Sequence, residues 1–359
     1  MYVMRRIFIC STPYQIMNAL NVAFHDEQTE NDLMIVESFD LSRLSMQAME
    51  TCFNNVYFSR RVHYSSFKLK RYVQRTKYLL CPQKYLEDHL RKSSKSGNET
   101  FQHYDEICYS YLLSECEALI AMNREADIIR MEDGIGSYFG DIYAQSFGWK
   151  YFLFAKVFRV GYAISKPRKI VLNNIDLYHN KDRGIACQAP EFDKDFVEYA
   201  NTVFGGGSPD YHRLIWLTQP LNIFIEKPEL LSHLSNFLAS WRDDMSVKVH
   251  PREAIDDNYN MYDVVEDKSI WELTIHNIDV ENKILLGVYS SAQFTPKILF
   301  DKEPYVILLY RLFPKVLENQ EEMEEFIRFF KQSYRNKNKV IIPESWQSLQ
   351  QVLANLINV

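Results

Sequence analysis

The class of fold is decided by the stretch Ile7-Phe8-Ile9-Cys10-Ser11-Thr12-Pro13-Tyr14-Gln15. Its four apolar residues predict a short buried strand, and Ser-Thr-Pro is a typical helix start, so an amphipathic helix is expected from about residue 14 to 23. The same alternation continues with a strand at 33–36, a helix at 41–53 and a strand at 56–59. Strands and helices that alternate at this spacing favour a parallel, doubly wound sheet.

The alternation recurs further along the chain in two blocks. A Gly-rich segment, residues 205–209, precedes the second block, and we expect the change of domain between residues 160 and 212. We divide the chain into domains 1–170 and 171–359, each Rossmann-like, with parallel sheets facing a central cleft. The further strands are expected at 107–111, 127–131, 214–217, 246–249, 284–288, 305–309 and 340–342, and the helices at 114–123, 229–241, 321–334 and 346–357.

Composition excludes several classes of protein. A chain of 359 residues suits two domains, and 47% hydrophobic residues can fill two cores. The net charge of -6 argues against a nucleic-acid partner, which requires a dominant basic surface. The six cysteines lack CxxC or metal-ligand spacing, and no apolar run is long enough to span a bilayer, so we expect a cytoplasmic protein. A Rossmann dehydrogenase is disfavoured because the first strand-helix turn lacks GxGxxG.

Polar residues that follow apolar strands are the first candidates for a site, because ligands of parallel α/β sheets bind beyond the carboxyl ends of the strands. One such turn is Glu132-Asp133-Gly134, after the strand at 127–131. A carboxylate here can act as a general base for a hydroxyl group, and the glycine allows close approach to the backbone. The alternative is an acidic turn that caps a helix.

A second candidate is the run Lys248-Val249-His250-Pro251-Arg252-Glu253, which follows the strand at 246–249. Its imidazole can donate a hydrogen bond or a proton to a departing phosphate, and the basic neighbours add to the anion-binding field. The alternative is a loop histidine before a proline turn. Whether the imidazole binds phosphate is therefore left open by these residues alone.

A third candidate is Tyr289-Ser290-Ser291, between the strand at 284–288 and a predicted helix start. Hydroxyls and backbone N–H groups at a helix start can bind phosphate without a metal. The alternative is a plain serine N-cap. Trp271-Glu272, which lies between this turn and the His-Pro run, either helps to form a nucleotide pocket or belongs to the core.

Two further segments are charged. Asp193-Lys194-Asp195 is interpreted as a solvated helix face rather than a metal site, and no metal ligands are predicted. Residues 60–78 interleave cations with aromatics, so they are a candidate for contact with anionic lipid or with an acidic glycan. The alternative for this segment is also a solvated helix face. If it does bind, the protein would lie peripherally on the inner membrane.

The three turns together carry a resemblance to a known family. Glu132-Asp133-Gly134, His250-Pro251 and Ser290-Ser291 resemble the acidic-acidic-Gly, His-Pro and Ser-Ser motifs of bacterial sialyltransferases, and the stretch from Ile9 to Gln15 resembles the start of glycosyltransferase family 52. The resemblance implies a GT-B-type fold, which two successive α/β blocks also suit. It further implies CMP-sialic acid as donor, a lipooligosaccharide, O-antigen or capsule acceptor, inversion, no metal cofactor, and often a homodimer.

The resemblance also implies roles for single residues. His250 would be the general acid or phosphate ligand, and Glu132 or Asp133 the base or an acceptor ligand. Glu226 is a rival base, because the segment 217–220 resembles a family segment that acidic residues follow, and here the acidic residue is displaced. The nucleotide site would comprise Ser290, Ser291, Pro251, Lys248, Trp271 and Glu272, and the acceptor side Thr12, Pro13, Gln15 and Gly134.

Two alternatives remain for function. The same family contains transferases that use a UDP-sugar, so the protein can instead be a UDP-sugar-dependent hexosyltransferase. It can also be a catalytically inactive glycan-binding protein. A CMP leaving group carries one phosphate, which a histidine, hydroxyls and a helix start can neutralise, whereas a departing diphosphate more often uses a divalent metal.

Overall fold

The computed structural model describes residues 2–60, 70, 80–93, 101, 103–139, 167–219, 229–251, 253, 259–266, 269–313 and 320–357. The chain divides into two compact units, Met1–Gly205 and Gly206–Val359. Each unit is built on its own β-sheet, and helices alternate with many of its strands. This confirms the predicted class, two parallel-sheet α/β domains.

In the described part of the first unit, the strands form an eight-stranded sheet of order β4-β3-β2-β1-β5-β6-β7-β8. Its described strands pair in parallel except for β3 with β4. The strands β1 to β8 are Arg5–Cys10, Glu30–Glu37, Asn55–Arg60, Leu90–Ser93, Glu106–Tyr109, Asp127–Met131, Lys169–Leu172 and Ala186–Gln188. The helices α1 to α5 are Pro13–Phe24, Met46–Met49, Pro82–His89, Ser114–Met122 and Lys194–Phe204.

The start of α1 shows why this sequence forms a strand, a turn and a helix. Ile7 and Ile9 of β1 are buried in the core, and Pro13 occupies the first helical turn, where its fixed φ is favourable. Thr12 is the N-cap, and its Oγ1 accepts a hydrogen bond from the Gln15 amide at 3.2 Å. The strand order reverses between β1 and β5, so the carboxyl ends of these strands form the switch point of the first sheet.

Among its described residues, the second unit contains a six-stranded parallel sheet of order β11-β10-β9-β12-β13-β14. The order reverses between β9 and β12, which makes their carboxyl ends the switch point of this sheet. The strands β9 to β14 are Leu214–Leu217, Met245–Lys248, Asp263–Val264, Ile284–Gly287, Tyr305–Leu308 and Val340–Ile341. The helices α6 to α10 are Glu229–Leu238, Trp271–Asn277, Ser291–Phe300, Gln320–Ser333 and Trp346–Ile357.

Two local predictions differ from the structure. The division placed at 170/171 falls inside β7, and the structure divides the chain later, at Gly205/Gly206, because β7 and β8 extend the first sheet beyond β6. The helix predicted at 41–53 is instead a short 3-10 turn followed by α2. Ser45 interrupts it, because its hydroxyl accepts from the Ala48 amide at 3.3 Å and begins a new helix.

The length and polarity of the helices decide whether any of them could span a bilayer. Within the described ranges, every helix is too short or too polar to cross a membrane.

Candidate functional site

The carboxylate of Glu132 is buried directly after β6, with 2% of the residue exposed. It accepts hydrogen bonds from the Tyr14 hydroxyl, from the Tyr138 hydroxyl at 2.5 Å and from the Asn173 amide at 2.8 Å. Burial raises the pKa of Glu132, and the hydrogen bonds from Tyr138 and Tyr14 oppose that rise. Glu132 therefore joins the end of β6 to helix α1 and to the residue that follows β7.

Asp133 lies next to this buried carboxylate but remains partly exposed. Its Oδ1 accepts a hydrogen bond from Gln15 Nε2 at 2.7 Å, and its amide donates to Ser137 Oγ at 2.7 Å. Gln15 in turn accepts from the Ser11 amide at 2.6 Å through its Oε1. The acidic turn is thereby attached to the start of α1, and Asp133 is the carboxylate of the adjacent pair that reaches the surface.

The residues predicted for the acceptor side lie at this same edge of the first sheet. Thr12 and Pro13 are partly exposed at the start of α1, and Gln15 contacts Asp133 directly. Gly134 has φ 81° and ψ -163°, a conformation that residues with a Cβ rarely adopt. A glycine is therefore required for the chain to turn immediately after the two carboxylates.

In the second unit, His250 follows β10 and is held by Thr218, which follows β9. The His250 amide donates to Thr218 Oγ1 at 2.8 Å, and this hydroxyl donates to Glu253. The Glu253 amide donates a hydrogen bond to the His250 carbonyl at 2.8 Å, so a backbone hydrogen bond closes the His-Pro turn. Thr218 is only 4% exposed, whereas the His250 side chain is partly exposed and Pro251 is exposed.

The Ser-Ser turn is held by the residue next to Thr218. Gln219 Oε1 accepts a hydrogen bond from the Tyr289 amide at 2.9 Å. Ser290 is buried as the N-cap of α8 and forms a capping box with Gln293, whose Oε1 accepts from the Ser290 amide at 3.1 Å. One dipeptide after β9 therefore fixes both the His-Pro turn and the Ser-Ser turn.

The start of helix α8 has the features of an anion-binding site. Ser291 is exposed, and the first-turn amides of a helix lie outside its intrahelical hydrogen-bond ladder, at the positive end of its dipole. The strand before it ends in Gly287, where an added Cβ would lie 2.8 Å from Gln293 Oε1 and 3.0 Å from the Leu217 carbonyl oxygen. The close packing of this turn thus depends on glycine.

Lys248, Trp271 and Glu272 form a group beside this helix start. The Lys248 ammonium lies 5.9 Å from the centre of the Trp271 ring, and the indole N–H donates to the Ala292 carbonyl at 2.8 Å. Trp271 belongs to the hydrophobic core and ties α7 to the first turn of α8. Burial raises the pKa of Glu272 to about 7, and the charge of Lys248 opposes the rise.

Some predicted residues fall outside the described ranges. These are Glu226, Arg252 and, apart from positions 60 and 70, the basic segment 60–78. Asp193 is the N-cap of α5, and its Oδ1 accepts from the Phe196 amide at 2.8 Å, so the Asp-x-Asp stretch begins a helix. Among the described residues, no group of three or more His, Cys, Asp or Glu side chains could hold a metal ion.

Several residues of these clusters were not identified from the sequence. Asn173 follows the apolar strand β7, so the same strand-end rule would have found it, but the segment around it shows no clear period. Tyr138 carries no sequence signal, because only its contact with Glu132 reveals it. Thr218 and Gln219 directly follow the predicted strand at 214–217, so the strand-end rule points to them, but their hydrogen bonds with His250 and Tyr289 are visible only in the structure.

Comparison with known proteins identifies the fold. No family model matches the chain, and no curated protein sequence matches it. The chain is similar to the crystal structure of the glycotransferase of kitacinnamycin, with a TM-score of 0.56 at 8% identity over 99% of this chain and 91% of that one. Spinosyn rhamnosyltransferase gives a TM-score of 0.51 at 10% identity, over 99% and 91% of the two chains.

The same fold also occurs in a different class of enzyme. A putative UDP-N-acetylglucosamine 2-epimerase from Listeria monocytogenes gives a TM-score of 0.51 at 10% identity, over 100% of this chain and 89% of that one. Identities this low define the fold alone. The fold is that of the GT-B glycosyltransferases.

Proposed function

We propose that the protein is a glycosyltransferase that takes its sugar from a nucleotide-activated donor. The observation that carries this proposal is the dipeptide Thr218-Gln219, which holds the His250 turn and the Tyr289 turn at the switch point of the second sheet. Switch points are where open α/β sheets bind their ligands. An imidazole and a helix start placed there suit a nucleotide phosphate. The second unit would therefore bind the nucleotide.

For the donor we propose CMP-sialic acid, transferred with inversion and without a metal to a glycan of lipooligosaccharide, O-antigen or capsule. The motif resemblance supports this choice of donor, and the chemistry of the turns agrees with it. CMP leaves with a single phosphate, whose developing charge His250 can neutralise by donating a proton or a hydrogen bond. The exposed Ser291 and the first-turn amides of α8 would bind the phosphate oxygens, and Lys248 would add positive charge nearby.

The first unit would supply the base. Proton removal from an acceptor hydroxyl requires a carboxylate that substrate can reach, and Asp133 is the exposed member of its pair. Glu132 is satisfied by three donors in the protein, so we assign it a positioning role. The Gln15 amide would orient Asp133 Oδ1, and Thr12, Pro13 and Gly134 would border the acceptor.

A second candidate is a transferase that uses a nucleoside-diphosphate sugar. The observation in its favour is that spinosyn rhamnosyltransferase complexed with thymidine diphosphate shares this fold, with a TM-score of 0.51. A departing diphosphate carries more charge than CMP. We would therefore expect it to need cationic groups beyond those at the His250 and Ser291 turns.

Release of nucleotide from the two kinds of donor tests the proposal. With CMP-sialic acid as substrate, His250→Ala should lower turnover by about two to four orders of magnitude. The matched control is His212→Ala. His212 is an exposed histidine just before β9, at the end of that strand opposite to Thr218. Near-normal turnover of His250→Ala would remove this residue from the mechanism, and release of UDP but not CMP would establish the second candidate.

A further inference from the structure

Three neighbouring strands of the first sheet end level with one another. Ile9 of β1 pairs with Tyr109 of β5, and Tyr109 pairs with Arg130 of β6. The strand β5 ends at this rung, and a bend at Ser110 and Tyr111 follows it at the same edge of the sheet as the α1 turn and the acidic turn 132–134. Tyr111 therefore lies beyond the carboxyl end of β5, a strand of the switch point that is placed between β1 and β6 in the sheet, and the turns after β1 and β6 carry the proposed acceptor side.

Tyr111 is 51% exposed, and it is one of few large hydrophobic residues that are exposed in the described part of the chain. Its backbone is nevertheless anchored, because its carbonyl accepts from the Cys116 thiol at 3.7 Å and the preceding Ser110 is buried. A ring on an anchored backbone at a strand end is a rigid surface with little entropy to lose on binding. Tyrosine is enriched at binding interfaces, because its ring offers an apolar face while its hydroxyl can remain hydrated.

We propose that Tyr111 is the stacking platform for the terminal pyranose ring of the acceptor. The ring C–H groups of a hexopyranose carry partial positive charge, so they are attracted to the negative face of an aromatic ring. Stacking there would fix the sugar beside Asp133, with its hydroxyls directed to the polar groups of the acidic turn and of α1. The inference rests on the proposed function, and it adds the residue that would bind the ring of the acceptor sugar.

Saturation-transfer NMR on the full chain tests this platform without requiring turnover. The probe is methyl β-D-galactopyranoside, whose axial O4 leaves one ring face lined by C–H groups. The wild type and Tyr111→Phe should saturate these C–H protons, and Tyr111→Ala should lose at least about tenfold in affinity. The control is Tyr2→Ala, which removes a tyrosine that is 80% exposed and lies before β1. Its affinity should equal that of the wild type.

The outcomes separate this inference from the proposed function. Saturation that persists in Tyr111→Ala, or that is missing in the wild type, overturns the platform. Release of CMP from CMP-sialic acid into water, measured in parallel, reports on the donor site alone. If Tyr111→Ala loses the sugar signal but retains CMP release, both proposals are supported. If the wild type shows Tyr111-dependent saturation but releases no nucleotide from any donor, the proposed function fails and the sugar site remains.

Discussion

Replacing Asp133 by Asn removes the proposed base while preserving the main contact of this side chain. An asparagine Oδ1 can still accept the hydrogen bond that Gln15 Nε2 donates at 2.7 Å, so the turn after β6 should keep its shape. Because Asp133 is partly exposed, stability should change by less than about 1 kcal/mol. Turnover should fall by about two to four orders of magnitude, the usual contribution of a positioned base.

Substitution of the neighbouring carboxylate, Glu132, should by contrast mainly lower stability. Glu132→Ala leaves the Tyr14 and Tyr138 hydroxyls and the Asn173 amide without their acceptor. Each buried donor that loses its acceptor lowers the free energy of unfolding by about 1–3 kcal/mol. Because Tyr14 is only partly buried, we count mainly the other two donors and expect a total loss of about 2–6 kcal/mol. For a domain of this size, each kcal/mol lowers Tm by about 2–4 °C, so a fall of roughly 5–20 °C follows.

Glu132→Gln is the decisive comparison. Burial raises the pKa of Glu132, so the fold already disfavours its charged form relative to water, and a neutral amide of the same shape should be tolerated. We expect turnover within about tenfold of the wild type, since the role proposed for Glu132 is positioning. The assay is steady-state CMP release together with thermal unfolding of each variant. If Glu132→Gln keeps its Tm but loses activity while Asp133→Asn stays near normal, the roles proposed for these two carboxylates are wrong.

Three further changes follow from contacts in the second unit. Thr218→Val removes both hydrogen bonds of a buried hydroxyl, so urea unfolding should show a loss of about 2–4 kcal/mol and turnover should fall about 10- to 100-fold; an unchanged midpoint would contradict this. Gly287→Ala introduces a contact at 2.8 Å and should lower the free energy of unfolding by about 1–3 kcal/mol. The control is Gly184→Ala in the first unit, where nothing lies within 4 Å of the added Cβ, and it should lower the free energy far less. Equal losses in the two variants would contradict close packing at Gly287. Burial acts to raise the pKa of Glu303, but hydrogen bonds led by that from Lys297 lower it to about 2, so the charged form stabilises the fold. Above pH 5 this charged form contributes about 3 kcal/mol to the free energy of unfolding, and the contribution should be lost as the pH falls towards 2. The free energy of unfolding of Glu303→Gln should lack this part of the decline, and a pH profile identical to that of the wild type would contradict the prediction.

The elements with strong local signals were predictable from the sequence. Strand β1 and helix α1 follow from an apolar run, the Thr12 cap and Pro13, all of which act within a few residues. Strands β7 and β8 were missed because four and three residues show too little periodicity, and what defines them is pairing with β6 and with each other. The boundary between the units therefore lies later than predicted, because these two strands belong to the first sheet.

The candidate site was predictable as a set of positions but not as a set of contacts. The strand-end rule identifies Glu132-Asp133, His250 and Ser290-Ser291, because an apolar run that stops at a polar residue is visible in the sequence. It does not rank Glu132 against Asp133. Adjacent residues share the same sequence signal, and only their burial in the folded chain separates them. The bond between Tyr14 and Glu132 joins residues far apart in sequence, so only tertiary packing reveals it.

The most direct test of the central claim is calorimetric titration of the full chain with CMP and with UDP, each with and without EDTA. The claim is that the turns after β10 and β12 bind the single phosphate of a departing nucleotide through His250 and Ser291. It predicts that CMP binds more tightly than UDP, that EDTA changes neither affinity, and that His250→Ala weakens CMP binding about 10- to 100-fold. Tighter binding of UDP, or CMP binding that His250→Ala leaves unchanged, would contradict it.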